Sequence, residues 1–448
     1  MDQLSTLVSN VSGFVWNHLL LYILVLTGII FTIRLKFIQV RKFGEGMRRV
    51  FGSLNLFGKH ADKDGMSSFQ ALATAIAAQV GTGNIAGCAT ALISGGPGAI
   101  FWMWLSAFFG MATIYGEAVL AQKFKTRSET GEVIGGPVYY IRQAFKGKFG
   151  KFLAGFFAVA IILALGLMGN MVQSNSIGDA FHNAFGVNSL IVGIVVAAIA
   201  AFIFLGGMKR IASVTEKVVP IMAALYIVGS LVVIIANIKN VPNVFYQIFV
   251  GAFNPAAILG GTAGITVREA MRFGVARGLF SNEAGMGSTP HAHAIAKVAK
   301  PEEQGIVAMI GVFLDTFVVL TLTALVILST NSLGSGAEGV ALAQLAFAKV
   351  FGQFGGVFIA ICLFFFAFST IIGWYFFGEQ NIKYLFGQKA VKIYALLVVL
   401  FVVVGSTLKV DLVWNLSDLF NGIMVFPNLL ALLALSGLVV AISKGKDK

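Results

Sequence analysis

Charge is scarce in these 448 residues: 11% are Asp, Glu, Lys or Arg, against roughly 25% in an ordinary soluble domain. Cysteine is scarcer still, with Cys88 and Cys362 as the only two. The thin charge excludes a soluble globular enzyme and a disordered chain. Both cysteines fall inside apolar runs, so they read as buried free thiols and not as a disulfide scaffold. The first apolar run, 11–33, lacks a basic lead-in, since Asp2 is the only charge before it, and it lacks a small-residue cleavage motif. It reads as an uncleaved anchor, not a secretory signal. What fills the chain is apolar side chain, 58% of residues, with a mean hydropathy of +0.88. That is the composition of an all-α polytopic membrane protein.

A helix needs about 20 apolar residues to cross a hydrocarbon core roughly 30 Å thick. Eleven segments qualify: 11–33, 66–94, 98–121, 152–178, 186–206, 218–238, 264–297, 304–330, 354–378, 391–408 and 412–441. The net charge of +13 does not point to nucleic acid, because the basic residues sit in short loops between the uncharged runs. With the N-terminus outside, the loops that fall inside hold 26 of the 32 Lys and Arg. Positive charge is retained on the cytoplasmic side, so this asymmetry sets the orientation and places the C-terminus in the cytoplasm of a multi-pass cell-membrane protein. The basic, aromatic stretches near 34–58 and 135–148 read as helices lying on the inner lipid surface.

Two segments are not plain spans. Residues 66–116 run for 51 positions without a charge, and Gly81-Thr82-Gly83-Asn84 interrupts the first half. The segment 264–297 is charged, with Arg268, Glu269, Arg272, Arg277, Glu283, His291 and His293, and Gly285-Met286-Gly287-Ser288 interrupts it. Irregular backbone at membrane depth is tolerated only where it lines a cavity or is buried in protein. The two interruptions lie 204 residues apart in helices that run in opposite directions. Paired, opposed and broken helices are the pattern of an inverted-repeat transporter with its site at the bilayer midplane. The expected organisation is an added N-terminal helix and cytoplasmic segment (1–64), a first repeat of five helices broken at 79–84 (65–238), and a linker with a second repeat of five broken at 281–288 (239–448).

Residues 95–110 read Gly-Gly-Pro-Gly-Ala-Ile-Phe-Trp-Met-Trp-Leu-Ser-Ala-Phe-Phe-Gly. This run resembles the signature of the alanine or glycine:cation symporter family of bacteria and archaea. So do 79–84 and 278–294, the latter as Gly-Leu-Phe-Ser-Asn-Glu-Ala-Gly-Met-Gly-Ser-Thr-Pro-His-Ala-His-Ala. The resemblance implies a LeuT-type five-plus-five inverted repeat with one extra N-terminal helix. It also implies Na+ as coupling ion, no organic cofactor, and small neutral amino acids, alanine or glycine, as cargo.

A zwitterion offers a carboxylate and an ammonium. The second half of the first broken helix presents free N–H groups and a positive dipole end at its break, so Thr82 and Gly83 are the expected carboxylate site. Carbonyls freed around 280–283 suit the ammonium, and Phe280 and Met286 either wall the side-chain pocket or simply pack. Alignment on LeuT-type transporters implies sodium ligands at the carbonyls of Ala77, Val80 and Phe366 and the hydroxyls of Ser369 and Thr370. By the same analogy a second cation position draws on Asn84, the Gln79 carbonyl, Ser281 and Asp315. Asp315 either serves that site or pairs with Arg277 in a structural role. Glu117 is expected to bond freed N–H groups near the breaks, and Glu283 to meet Arg277 or the ammonium. Asn170 and Gln173, on one helical face, either bridge helices or touch substrate, and Trp374 is placed to limit side-chain size.

The buried acids and histidines leave proton coupling as the alternative to sodium. A channel would need a ring of carbonyls that a single chain does not display. An enzyme would need a nucleophile or metal spacing, and the rings of His291 and His293 point about 200° apart on a helix.

Overall fold

Backbone N–H and C=O groups find no partners in hydrocarbon, so long apolar runs close their hydrogen bonds internally as helices. The computed structural model describes residues 2–52, 64–259, 265–408 and 410–446. Part of the stretch expected on the inner surface, 53–58, and the start of the segment 264–297 lie outside those residues. Among the described residues seven helices are long and apolar enough to cross a membrane, and the bent pair Ser68–Gln79 and Gly83–Gly95 makes an eighth span. Leu21–Arg34 and Ser189–Phe204 are shorter than this measure requires. Val267–Asn282, at 16 residues and carrying Arg268, Glu269, Arg272 and Arg277, falls short as well.

Several helices run further than hydropathy suggests. Asn170–Phe185 continues Gly147–Ile161 through a wide π turn at Ile162–Gly169. Gly207–Ala236 starts eleven residues before position 218, carrying Lys209, Arg210, Glu216 and Lys217 on its first turns. Phe354–Phe386 passes its apolar limit at 378. Hydropathy marks where a helix leaves hydrocarbon, not where its hydrogen bonding stops.

The connections hold structure that apolar periodicity does not reveal. Val241–Phe253 lies against the signature helix Gly98–Lys123, where Trp102 donates to the Ala252 carbonyl at 3.1 Å. Gly339–Phe351 packs on Phe354–Phe386 through Phe347 and Phe358, ring centres 5.3 Å apart. Strands Thr126–Arg127 and Val133–Ile134 form a small antiparallel hairpin. The helix Phe43–Phe51 is held at its start by Glu45, which accepts from Lys42 at 2.7 Å and Arg49 at 3.0 Å.

Three features position the site. The N-terminal helix packs on the signature helix, with Phe31 filling the space that a side chain at Gly116 would occupy. It also reaches the last helix, Val410–Ile442, where Trp16 donates to the Asp418 carbonyl at 3.0 Å. At the basic end of the bundle the two broken helices are stitched together: Met66 N–H donates to the Ile295 carbonyl at 3.0 Å, and Lys297 N–H to the Met66 carbonyl at 2.9 Å.

Candidate functional site

The first broken helix begins with a capping box at Ser67 and Gln70 and ends where Val80 turns extended, at ψ 90°. In an uninterrupted helix the Gly81 N–H would bond the Ala77 carbonyl four residues back. Here it donates to Asn84 Oδ1 at 3.0 Å instead, which frees Ala77. The long helix Phe354–Phe386 fills the gap. Thr370 Oγ1 lies 2.9 Å from the Ala77 carbonyl, 3.4 Å from that of Val80 and 3.0 Å from that of Phe366. Ser369 Oγ lies 3.3 Å from the Ala77 carbonyl and 2.9 Å from that of Phe366. Five oxygens from two helices thus converge. The bonds to Phe366 are ordinary back-bonding within a helix; the bonds to Ala77 and Val80 cross between helices and exist only because the first helix is broken.

Gly81 is required for this approach, because a Cβ there would overlap Thr370 Oγ1. Gly81→Ala is expected to push Thr370 away and weaken ion binding by about tenfold, roughly 1.4 kcal/mol. A sodium titration of ligand-induced thermal stabilisation checks this.

Asp315 forms a second centre between the two breaks. Its Oδ1 accepts from Asn84 Nδ2 at 2.7 Å and Ser281 Oγ at 2.8 Å, and its Oδ2 accepts from Thr316 Oγ1 at 2.9 Å. Asn282 Nδ2 reaches the same Thr316 hydroxyl at 3.2 Å. Gln79 Nε2 donates to the Asn282 carbonyl at 2.7 Å. One buried carboxylate therefore ties the first broken helix to the second and to the helix that follows it.

The second break runs from Asn282 to Ser288, with Glu283, Gly285 and Gly287 at φ of 58°, 89° and 80°. Glycine takes that left-handed region at no steric penalty. The freed N–H groups of Gly285 and Gly287 donate to the two oxygens of Glu117 at 3.0 and 2.9 Å. Asn428 on the last helix braces this clamp, donating to Glu117 at 2.6 Å and to the Gly285 carbonyl at 2.9 Å, while the Tyr140 hydroxyl donates to Asn428.

Arg277 corrects one expectation. It pairs with neither Asp315 nor Glu283 but forks onto Asp418 through two bonds of 2.8 Å. Its guanidinium also lies 4.9 Å from the centre of the Trp414 ring. Glu283 instead accepts from Trp374 Nε1 and from Ser288 Oγ. The Thr82 N–H, expected free for a carboxylate, donates to Gln173 Oε1 at 3.1 Å, so Gln173 ties its helix to the first break. Asn170 bonds its own helix at the Gly166 carbonyl. His291 and His293 turn to different neighbours, Asn381 and Gln304.

Four buried polar atoms around the first break have no hydrogen-bond partner within the protein: Gln79 Oε1, Thr82 Oγ1, Asn170 Oδ1 and Gln173 Nε2. Buried polar groups are nearly always satisfied, so these open donors and acceptors are available to a polar ligand. Gly83, which opens the second half-helix, leaves its backbone near Phe280 and Ser281, where a Cβ would sit 3.1–3.2 Å from both. Phe280 packs edge-on to Trp374, centres 5.7 Å apart, and Met286 is buried in the same core. Trp414, Asp418, Asn428 and Tyr140 escaped the sequence reading. Asp418 carried a usable signal, an acid inside an apolar run, which membrane proteins place opposite a basic partner.

Two helices broken inside an apolar bundle, an oxygen cage at one break and unpartnered polar atoms beside it define a membrane transporter of the LeuT fold. The backbone is similar to that of MhsT in complex with L-phenylalanine, with a TM-score of 0.59 at 14% identity, covering 87% of this chain and 100% of that one. Residues 1–446 match the sodium:alanine symporter family, and the chain belongs to that family. It is 44% identical to the sodium/alanine symporter AgcS of Methanococcus maripaludis, over 99% of this chain and 97% of that protein. It is 42% identical to the amino-acid carrier protein AlsT of Bacillus subtilis, over 99% of this chain and 92% of that one.

Proposed function

We propose that the protein imports a small neutral amino acid, alanine or glycine, together with sodium by alternating access. The convergence of the Ala77, Val80 and Phe366 carbonyls with the Ser369 and Thr370 hydroxyls carries this reading. A hard monovalent cation takes carbonyl and hydroxyl oxygens, and an ion seated there bridges the first broken helix to Phe354–Phe386. Sodium drives uptake only by favouring the state that binds cargo, since equal affinity for all states couples nothing. The substrate carboxylate lies at Gly83 and the Thr82 hydroxyl, with Asn84 and Gln173 beside it. The ammonium lies toward the last-turn carbonyls of Phe280 and Ser281, near Glu283. Phe280, Met286 and Trp374 bound the side chain. Asp315 with Asn84, Ser281 and Gln79 forms a second cation position, and Glu117 holds the second break while the bundle moves.

The first repeat, 65–238, and the second, which follows an extracellular linker within 239–448, rock about this midplane site, and 1–64 stands outside them. The end rich in Lys and Arg faces the cytoplasm, with the N-terminus outside. The reading is tested by alanine binding to purified protein across a sodium titration. Thr82→Ala is expected to weaken alanine about fivefold, near 1 kcal/mol for one lost neutral hydrogen bond, while leaving the sodium midpoint in place. Binding that ignores sodium would refute the reading. One observation favours a second version: Glu283 and Asp315 are buried and held by neutral donors, which is also how a proton-carrying acid is housed.

A further inference from the structure

The first broken helix ends in its far half, Gly83–Gly95, and the second begins with its own, Val267–Asn282. These two half-helices pack together, Gly95 against Ala270 and Phe273, and Trp414, on the last helix, lies beside both. A Cβ at Gly87 of the first broken helix would sit 3.9 Å from its Cη2. On the other side the ring of Phe280 meets it with centres 4.9 Å apart, tilted by 44°. Trp414 thus touches both half-helices from a third element.

The ring is held in place. Arg277 lies over it, and that guanidinium is fixed by both oxygens of Asp418, one turn further along the last helix. Side-chain exposures of 11% and 18% make this a largely buried ion pair. Trp16 of the N-terminal helix secures the same turn through the Asp418 carbonyl. Phe280 is therefore bracketed by two tethered indoles: Trp374, tied to Glu283, and Trp414, covered by Arg277.

We propose that Trp414 is a specificity-determining residue, its indole closing the far end of the pocket above Phe280 and setting the largest side chain the site accepts. This rests on reading the break as an amino-acid site. The three rings of Trp374, Phe280 and Trp414 pack in series, a crowding that favours a hydrogen, a methyl or a hydroxymethyl group over branched or extended side chains. Removing the indole opens a volume contiguous with Phe280, and an apolar pocket gains or loses about tenfold or more per methylene accommodated.

The test uses the full-length protein in detergent at saturating sodium. Glycine, alanine, serine, methionine and leucine are each measured as ligands by thermal stabilisation, for wild type, Trp414→Leu and Trp414→Phe. In Trp414→Leu the ratio of methionine or leucine affinity to alanine affinity is expected to rise by about tenfold or more, with alanine itself weakened a few-fold. Trp414→Phe is expected to shift the same ratio less, in the same direction, and gives the result if the leucine variant does not fold. An unchanged ratio in a folded variant overturns the proposal and leaves Trp414 as packing. Should wild type prefer a larger amino acid than alanine, the reading of small cargo fails, but the size limit is still read from the panel against that preferred ligand. A wild type stabilised by none of the five overturns both.

Discussion

Thr370→Val is expected to cut sodium's effect on alanine binding by about 10- to 100-fold, from the loss of an oxygen worth roughly 1.5–3 kcal/mol when bonded to a charge. The substitution keeps the shape of the side chain and removes the one atom that spans the carbonyls of Ala77, Val80 and Phe366. Because the coupling between two ligands is reciprocal, the same variant should show alanine raising sodium affinity less than in wild type. The measurement is a matrix of alanine isotherms at several sodium concentrations. At zero sodium, wild type and variant should coincide; at high sodium they should diverge. A variant whose isotherms shift equally at every sodium concentration would show that Thr370 serves packing or cargo, not the ion.

Asp315→Asn should reduce sodium-dependent alanine transport by about 100-fold, the scale of roughly 3 kcal/mol for a cation losing one charged ligand. The hydrogen-bond inventory makes this variant informative, because the fold can survive it. The remaining side-chain oxygen can stay with Asn84 and Ser281, while the new amide nitrogen turns toward Thr316, whose hydroxyl is free to rotate and accept. Asn84 itself cannot flip, since its own oxygen holds the Gly81 N–H. Stability should therefore fall only slightly, and lost transport would report the lost negative charge. Transport retained at wild-type rates would reduce Asp315 to a structural tie between the two broken helices.

The breaks were readable because paired glycines inside two segments of membrane-spanning length leave few alternatives: the backbone must come undone, and at membrane depth it must do so in a sheltered place. Resemblance to LeuT-type transporters then grouped Ala77, Val80, Phe366, Ser369 and Thr370, and these five do meet, across some 290 residues of chain. The partner of Arg277 was missed for a physical reason. From its own helix, Asp315, Glu283 and Asp418 are equivalent as acids in apolar surroundings, and only the packing of the last helix puts Asp418, 141 residues away, in reach of both arms of the guanidinium. Thr82 shows another limit, since a helix end advertises a free N–H but not the side chain, here Gln173, that arrives from elsewhere to take it. Trp414 was invisible for the same reason: a tryptophan in an apolar span looks like lipid-facing or core residue until its neighbours are known. The helices Val241–Phe253 and Gly339–Phe351 lie in connections whose amphipathic pattern is too short to separate from loop.

Beneath the proposed orientation and repeat division lies one claim: ion and amino acid share one midplane site made by two broken helices. It is tested most directly in proteoliposomes loaded at equal pH on both sides, with an inward sodium gradient as the only driving force. The account predicts concentrative alanine uptake that collapses when the gradient is dissipated and that Thr370→Val reduces by about 10- to 100-fold. Uptake that follows an imposed proton gradient and is indifferent to sodium would contradict it.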